Sequence, residues 1–413
     1  MANEFKVMER LTKFAVEDFL NSLQLGAKVD RQLDEKNVFG GDSGATAKIR
    51  KPVRVTSTTG AEITAGQITD IEEATVTMTL DQRKKTVIGI TTQDLSLDVE
   101  NLRERYIKPK MYELAQDVET AIAGQYKYIS NFVGTPGSPP SSFLDVATAE
   151  AKLDLLGVPM DQLRSAFYGP LETVNLADGL KGVFPTPIAK EAIEKAMIQN
   201  YGGFTLYKNQ SLALHTVGVN TGTPLVNGAS QNTTYALSKD TWTQTLNTDG
   251  WTNDQTGILK AGDVFTLADV YAVNRRNRIS TQQLAQFTVT ADADSGAATG
   301  PAALTISPPI ITSGPYQTVT AAPANNAVIT VQTGTGGTGY RQNLAFHKNA
   351  ITMAMVPLAL PGEGTMATRE SYEGISIRMI KKYNEILDRV LWRCDILFGL
   401  KVQNPDWAVR TTS

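Results

Sequence analysis

The segment Asn343–Pro361, NLAFHKNAITMAMVPLALP, marks an abrupt change in the composition of the chain. Before it, Val219–Tyr340 is rich in Thr, Gly, Asn and Ala, and from Ile279 onward that region carries only two charged residues, Asp292 and Asp294. After it, the charged and mixed character of the first half of the chain returns. Many short β-branched runs separated by turn residues are typical of a β-sandwich or barrel. A compact β unit inserted between two parts of another domain explains this pattern best.

The N-terminal part of the chain predicts one helix and a pair of strands. Apolar residues recur every three or four positions from Phe5 to Leu23, which predicts an amphipathic helix that Gly26 ends. A polar connection follows, and then AKIRKPVRV (47–55) and ATVTMTL (74–80) alternate apolar and polar residues around a long hydrophilic segment. We interpret these runs as a long hairpin arm. Such an arm is marginal alone and needs another surface to lie on.

The clearest helical signal lies in residues 96–128. Met111, Leu114, Val118 and Ile122 form one apolar stripe, and Pro109 must occupy a first turn or a kink because it cannot donate a backbone hydrogen bond. Further helices are predicted in 143–159 and 185–200, and closing strands in 374–379 and 386–402.

Bulk properties exclude several classes of protein. The chain has 413 residues, 41% of them hydrophobic and 20% charged, with a net charge of −3, so nucleic acid is not expected as its main ligand. One cysteine, Cys394, excludes a disulfide within one chain and a cysteine-rich metal site. The charged start MANEFKVMERLTKF does not resemble a signal peptide, and no apolar run is long enough to cross a membrane. We therefore expect a protein of a reducing, aqueous compartment.

No motif in the sequence strongly indicates a catalytic, cofactor-binding or metal-binding site. The glycines of GTGGTG (334–339) fit a dinucleotide fingerprint, but YRQNLAF follows where a helix should open, so linker composition is favoured. His215 and His347, the only histidines, have no recognisable nucleophile to serve, and roles in packing and hydrogen bonding at strand or helix ends are favoured. The basic group NRRNR (274–278) could contact phosphate, although a solvated turn or an ion pair is favoured. We predict no catalytic, cofactor-binding or metal-binding residue, and no enzyme.

Five segments, in this order, resemble the major capsid (coat) proteins of tailed bacteriophages, of the short-tailed-phage type that carries an inserted β-barrel domain. They are RYIKPKMYELAQDVETAIAGQY, GGFTLYKNQSLALHTVG, LKAGDVFTLADVYAVN with ISTQQLAQFTV, NLAFHKNAITMAMVPLALP, and GISIRM with YNEILDRVLWRCDILFGLKVQNPDWAVR. The basic VNRRNR stands where relatives more often have a proline-containing turn, so the resemblance implies no role for its arginines.

The resemblance implies an α+β tailed-phage capsid fold with an inserted all-β barrel. It implies an N-terminal helix and arm, a hairpin arm, a peripheral and axial core built on a long spine helix, and the barrel, in residues 1–44, 45–90, 91–218 with 341–413, and 219–340. His215 and His347 then lie just before and just after the insertion, as structural residues at the two crossings between domains.

The implied function is self-assembly into pentamers and hexamers of the icosahedral shell that encloses phage DNA in the virion, after assembly in the host cytoplasm. The implied partners are other copies, a scaffolding protein, the portal protein and packaged DNA bound without sequence readout. A decoration protein is compatible with this role, and no contact with a membrane is implied. Basic residues of the arm and of the β unit are the candidates for contacts between subunits: Lys48, Arg50, Arg54, Arg83, Lys84, Arg275, Arg276 and Arg278.

One alternative from another class stays open at this point. The Thr- and Gly-rich β region would also suit a virion surface module that binds a host glycan through residues 219–340, with the rest of the chain as its carrier.

Overall fold

The computed structural model describes most of the chain and divides it into two compact units. The described residues are 2–33, 46–51, 53–55, 73–91, 103–179, 200–362 and 366–413. The first unit comprises Met1–Lys48, Thr77–Ala123 and Ile351–Lys401, and the second comprises Ile49–Val76, Gly124–Ala350 and Val402–Ser413. The predicted α+β class is confirmed. Of the helix predicted in 185–200, all but Asn200 lies outside the described residues.

Two long helices form one layer of the first unit. They are α1 (Ala2–Ser22) and α3 (Lys108–Ala123), which follows a π-helical turn and packs against α1. The predicted stripe of α3 is confirmed, since Met111, Leu114, Val118 and Ile122 are fully buried. Pro109 lies in the first turn of α3, as predicted, where its missing N–H is best tolerated. Residues 96–102, the first part of the segment predicted to be helical, lie outside the described residues.

The prediction that Gly26 ends the first helix is wrong. Helix α1 ends at Ser22, and Gly26 lies inside a short second helix, α2 (Leu25–Lys28). The first amides of α2 would otherwise lack partners. Both carboxylate oxygens of Glu119, a buried residue of α3, accept hydrogen bonds of 2.9 Å from the backbone N–H groups of Gln24, Leu25 and Gly26. The turn is therefore set by a carboxylate about a hundred positions away.

A six-stranded sheet forms the other layer of the first unit. Its strands are β1 (Asp30–Leu33), β4 (Gln82–Thr91), β17 (Ile351–Met355), β18 (Met366–Tyr372), β19 (Ile375–Asn384) and β20 (Arg389–Val402). The order is β1-β17-β20-β19-β18, with β4 also pairing with β20, and β1 runs parallel to β17. Helix α1 packs on β18 and β19. The closing strands predicted in 374–379 and 386–402 are confirmed as the antiparallel pair of β19 and β20.

The region predicted as a hairpin arm contributes strands to two different sheets. Strand β2 (Thr46–Arg50) pairs with β3 (Thr75–Thr79) in a two-stranded sheet, and residues 56–72 between them lie outside the described part of the chain. Strand β4 instead pairs with β20 along its whole length, from Gln82 opposite Phe398 to Thr91 opposite Arg389. Residues 82–90 of the predicted arm therefore belong to the main sheet of the first unit.

The second unit contains a mixed sheet of seven strands. These are β5 (Phe132–Val133), β6 (Arg164–Tyr168), β7 (Asn200–Tyr201), β8 (Phe204–Lys208), β9 (Leu214–Thr216), β16 (Gly339–His347) and β21 (Ala408–Thr412). Their order is β5-β21-β16-β6-β8-β7, with β9 also pairing with β16. Two helices accompany the sheet, α4 (Phe143–Leu155) and α5 (Pro170–Gly179), and both contribute to its core through Val146, Leu153 and Leu176.

A second sheet of this unit is built from one continuous stretch of chain. Its strands are β10 (Gly222–Val226), β11 (Gln244–Trp251), β12 (Val264–Val273), β13 (Ser280–Val289), β14 (Ala302–Ser307) and β15 (Ile329–Val331), with a short helix α6 (Tyr235–Ser238). The order is β10-β11-β14-β13-β12-β15. Val226 also exchanges backbone hydrogen bonds with Asn326 and Ala327, beside a bridge from Leu225 to Val328, so the two end strands of the sheet meet. Fully buried residues such as Phe265, Leu304 and Ile306 form the core that the sheet encloses.

Candidate functional site: two histidines and a basic pocket

His215 lies in a buried hydrogen-bond network where β9 leads toward the second sheet. Its Nε2 lies 2.9 Å from Oδ1 of Asp263, and its Nδ1 lies 3.0 Å from the hydroxyl of Tyr126, whose ring meets the imidazole edge to face. Burial raises the pKa of the Tyr126 phenol, which therefore stays protonated. The imidazole is thus held between a carboxylate and a phenol, the arrangement of a structural histidine.

Asp263 accepts hydrogen bonds from both ends of the chain segment that forms the second sheet. Besides His215, its carboxylate accepts from the backbone N–H groups of Gly218 (2.9 Å) and Lys260 (2.7 Å) and from the hydroxyl of Thr333 (2.8 Å). Burial would raise the pKa of this carboxyl, but the hydrogen bonds from His215, Lys260 and Gly218 outweigh burial and hold the pKa below its usual value. Because Gly218 precedes β10 and Thr333 follows β15, one carboxylate ties together the incoming and outgoing segments.

Arg410, the largest fully buried side chain, completes this cluster from β21. Its guanidinium donates to the carbonyl of Gly262 and lies 5.6 Å from the ring centre of Tyr126 and 5.7 Å from that of Phe132. Burial lowers the pKa of Arg410 to about 10, so the group remains charged at neutral pH. The cluster therefore joins β21 to the chain just before β12.

His347 has separate partners at the end of β16. Its Nε2 lies 3.0 and 3.1 Å from the two carboxylate oxygens of Asp161, its Nδ1 accepts from the N–H of Asn349, and its ring packs edge-on against Trp407. The hydrogen bond from His347 lowers the pKa of Asp161. In the described part of the chain neither histidine hydrogen-bonds to a serine, threonine or cysteine side chain.

The predicted contact residues of the first unit lie on strands. Lys48 lies in β2, and Lys84 lies half-buried on β4 opposite Ile396. Arg83 already has a partner within the chain: its Nη2 lies 3.3 Å from the buried carboxylate of Asp395. Arg378 and Arg393 bind the same carboxylate. Burial opposes ionisation of Asp395, but the arginines prevail and lower its pKa, which makes this a structural ion-pair cluster.

Arg275 is also engaged within the chain. Its Nε and Nη2 each donate to a carboxylate oxygen of Asp406 at 3.0 Å, and its Nη1 donates to the carbonyl of Thr318 at 2.8 Å. Both side chains of the pair are more than nine-tenths buried. For the basic group 274–278, the interpretation as an ion pair therefore applies to Arg275.

The remaining basic residues of the second unit are more accessible. Arg50 is exposed and lies 3.7 Å from Glu73, while the guanidinium of Arg54 stacks on the ring of Tyr316. Arg276 is exposed and Arg278 half-buried on the turn after β12.

Four of the predicted residues come together around one open pocket of about 310 Å³, which we call the basic pocket. They are Arg54, Arg275, Arg276 and Arg278, and Trp407 and Pro315 contribute apolar surface. Sequence reasoning did not foresee this grouping, because Arg54 is more than 200 positions from the others. Nor did it find Asp263, Asp395, Asp406 or Arg410, none of which lies in a recognisable spacing.

No group of three or more His, Cys, Asp and Glu side chains in the described ranges could hold a metal ion. None of the helices described has the length and apolar character needed to cross a membrane.

Comparison with known proteins identifies the family. The sequence model described as P22 coat protein, gene protein 5, matches residues 1–410. No curated protein matches the sequence.

Solved structures similar to this chain come from viruses and a virus-like particle. A structure from Mycobacterium phage Che8 is 14% identical, with a TM-score of 0.46 over 94% of this chain and 90% of the other. The capsid of Ralstonia phage GP4 is 8% identical, with a TM-score of 0.46 over 94% and 88%. A virus-like particle from Pyrococcus furiosus is 8% identical, with a TM-score of 0.40 over 98% of each chain. At these values the assignment rests on the family match, which spans nearly the whole sequence: the chain belongs to the P22 coat protein family and is a shell-forming coat protein of a phage virion.

Proposed function

We propose that this coat protein builds an icosahedral shell from pentamers and hexamers of a single chain, and that the shell encloses the phage DNA. The observation that carries this proposal is the family match over residues 1–410. Repeated use of the same surfaces by identical subunits is the ordinary route to a closed assembly.

We also propose that residues 219–340 form a closed β-barrel domain inserted into the second unit. Support comes from the continuity of β10 to β15 along the chain and from the backbone hydrogen bonds that join Val226 to Asn326 and Ala327. The insertion would interrupt the mixed sheet between β9 and β16, whose residues pair from Leu214 opposite Arg341 to Thr216 opposite Gly339.

The chain has no catalytic role in this proposal. Both histidines are occupied by buried or half-buried carboxylate contacts, which supports a structural role for them. The partners we propose beyond other copies are a scaffolding protein, a portal protein, a decoration protein and packaged DNA contacted without sequence readout. Assembly would take place in the host cytoplasm.

The test is assembly of the purified protein with its scaffolding protein, followed by negative-stain electron microscopy. We expect closed shells or curved sheets with five- and six-fold clusters. A species that stays monomeric at high concentration with scaffold present would contradict the proposal.

A further inference from the structure

The basic pocket carries charge that the chain itself does not neutralise. Arg275 is paired with Asp406, but in the described part of the chain no carboxylate lies within 4 Å of the nitrogens of Arg54, Arg276 or Arg278. The Nη1 of Arg54 is buried and has no hydrogen-bond acceptor among the described residues. A guanidinium in this situation favours an anionic acceptor from outside the subunit.

The side chain of Arg54 and the backbone turn that bears the other arginines are also held in place. The backbone N–H of Arg54 donates to the hydroxyl of Tyr316 at 3.0 Å, and its guanidinium stacks on the same ring. The turn that bears Arg276 and Arg278 is anchored to the end of α4, where the side chain of Asn274 donates to the carbonyl of Leu155 at 2.8 Å. A rigid basic site loses little entropy when it binds.

The residues that line the basic pocket also indicate the chemical character of the segment that would bind there. Trp407, Pro315 and Leu156 line it beside the arginines, so it suits a segment that combines carboxylates with large apolar side chains. A bare polyanion such as a nucleic-acid backbone would leave this apolar surface unused.

The chain carries a segment of that chemistry on its own surface. The turn between β19 and β20 presents Ile386, the most exposed large apolar residue of the described chain at 93%, and Leu387 at 58%. Exposed carboxylates flank them, Glu385 on one side and Asp388 on the other. The side chain of Asn384 accepts hydrogen bonds from the N–H groups of Ile386 and Leu387, so the turn is preformed. Two apolar residues exposed to this extent on a tight turn suit burial against a partner.

We propose that the basic pocket of one copy receives the β19–β20 turn of another copy. Ile386 and Leu387 pack on Trp407 and Pro315, and the carboxylate of Glu385 pairs with Arg276 and Arg278. The contact joins two different surfaces, so it propagates from copy to copy until a ring or shell closes. This inference rests on the shell-forming function, because only an assembly supplies the second copy.

A charge exchange tests the contact. Arg276→Glu and Glu385→Lys should each lower shell yield about tenfold, and the combined variant should recover most of the wild-type yield, since it restores the opposite charges. Lys85→Glu, a reversal on the exposed face of β4, is the matched control and should assemble normally. Circular dichroism checks that each subunit folds. Failure of the wild type to assemble would contradict the proposed function, whereas normal shells from both single variants would contradict only this contact.

A cross-link locates the contact independently of charge. Ile386→Cys combined with Pro315→Cys should give disulfide-linked dimers and larger multiples in oxidised shells. The control pair, Ile386→Cys with Leu237→Cys, uses a site that is 82% exposed and outside the pocket, and it should not cross-link. Monomers only, or equal cross-linking of both pairs, would overturn the inference. So would a short DNA oligonucleotide that binds the subunit and is lost with Arg276→Glu while that variant still forms normal shells.

Discussion

At the scale of single residues, the carboxylate of Asp263 accepts hydrogen bonds from Gly218 on one side of the β unit and from Thr333 on the other, as well as from His215. Replacing it would leave these buried donors without an acceptor. An unsatisfied buried donor costs about 1–3 kcal/mol. The stability of the whole second unit should therefore be sensitive to this one side chain.

Asp263→Asn is expected to lower the free energy of unfolding by about 2–4 kcal/mol, because the amide keeps the shape but removes the charge and turns a donor toward other donors. Urea denaturation followed by circular dichroism measures the change. Asp269→Asn, at an exposed carboxylate, is the control and should cost less than about 0.5 kcal/mol. Equal midpoints for the two variants would contradict the clustered role of Asp263.

The lowered pKa of Asp263 predicts that the stability difference between wild type and Asp263→Asn depends on pH. The pKa of Asp263 in the folded state lies below its ordinary value, so the charged form stabilises the fold fully above about pH 4, and the contribution is lost as the pH falls through the folded-state pKa. The stability difference between wild type and Asp263→Asn should therefore shrink below about pH 4. Denaturation curves at pH 7 and at acid pH measure it, and a difference that grows on acidification would contradict the sign of the shift.

Cys394 should be inert in the folded subunit. It is 1% exposed, and burial raises the pKa of its thiol to about 11, so almost no thiolate is present at pH 8. A thiol reagent such as Ellman's reagent should react with it only after guanidinium is added. Rapid reaction without denaturant would show that β20 opens locally.

Sequence reasoning assigned both histidines a structural role but could not name their partners. Tyr126 is 89 positions from His215, and Asp161 is 186 positions from His347. Neither separation leaves a local pattern. The pairing of β6 with β16 sets Arg164 opposite His347 and so brings Asp161 close to that histidine.

At the scale of elements, apolar periodicity was sufficient to locate a helix or strand in the sequence where that element buries one face. It located α3 and the strands β19 and β20, whose buried faces repeat along the sequence. It misplaced the end of α1, because that end is fixed by Glu119 on another helix. It could not assign β4, whose neighbour β20 lies about 300 positions further along the chain.

Charge reversal at Lys48 or Arg50 is expected to impair assembly while the subunit stays folded. Arg50 makes only an exposed ion pair with Glu73, and such pairs contribute about 0–1 kcal/mol to stability. Exposed charges steer and register contacts between subunits more strongly than they stabilise a fold. Negative-stain microscopy reports assembly. Unfolding of the subunit, seen by circular dichroism, would show that this strand belongs to the core.

At the scale of the whole molecule, the fragment 219–340 is expected to fold alone. Its core is drawn from its own strands, and about 120 residues are enough for an independent domain. The excised fragment should give a cooperative thermal melt and dispersed amide resonances. A disordered fragment would contradict the proposed boundaries.

The complementary deletion should leave a damaged coat core. Without residues 219–340, Asp406 loses Arg275, and Arg410 loses the carbonyl of Gly262, so two buried charged groups lose hydrogen-bond partners. The deleted chain, closed by a short glycine linker, is expected to be poorly soluble or to misassemble. Normal shells from the deletion would show that the β unit has no folding role.

The antiparallel ladder between β9 and β16 is expected to carry mechanical load when the chain is pulled in a shell. It extends from Ala213 opposite Gln342 to Val217, which exchanges hydrogen bonds with Gly337 and Thr338. Pull on the polypeptide from either side is transmitted across these rungs before it reaches residue 219. The chain between the two sides of the ladder is therefore a loop with adjacent ends, and we expect a pull along the chain to load the ladder before it loads the second sheet.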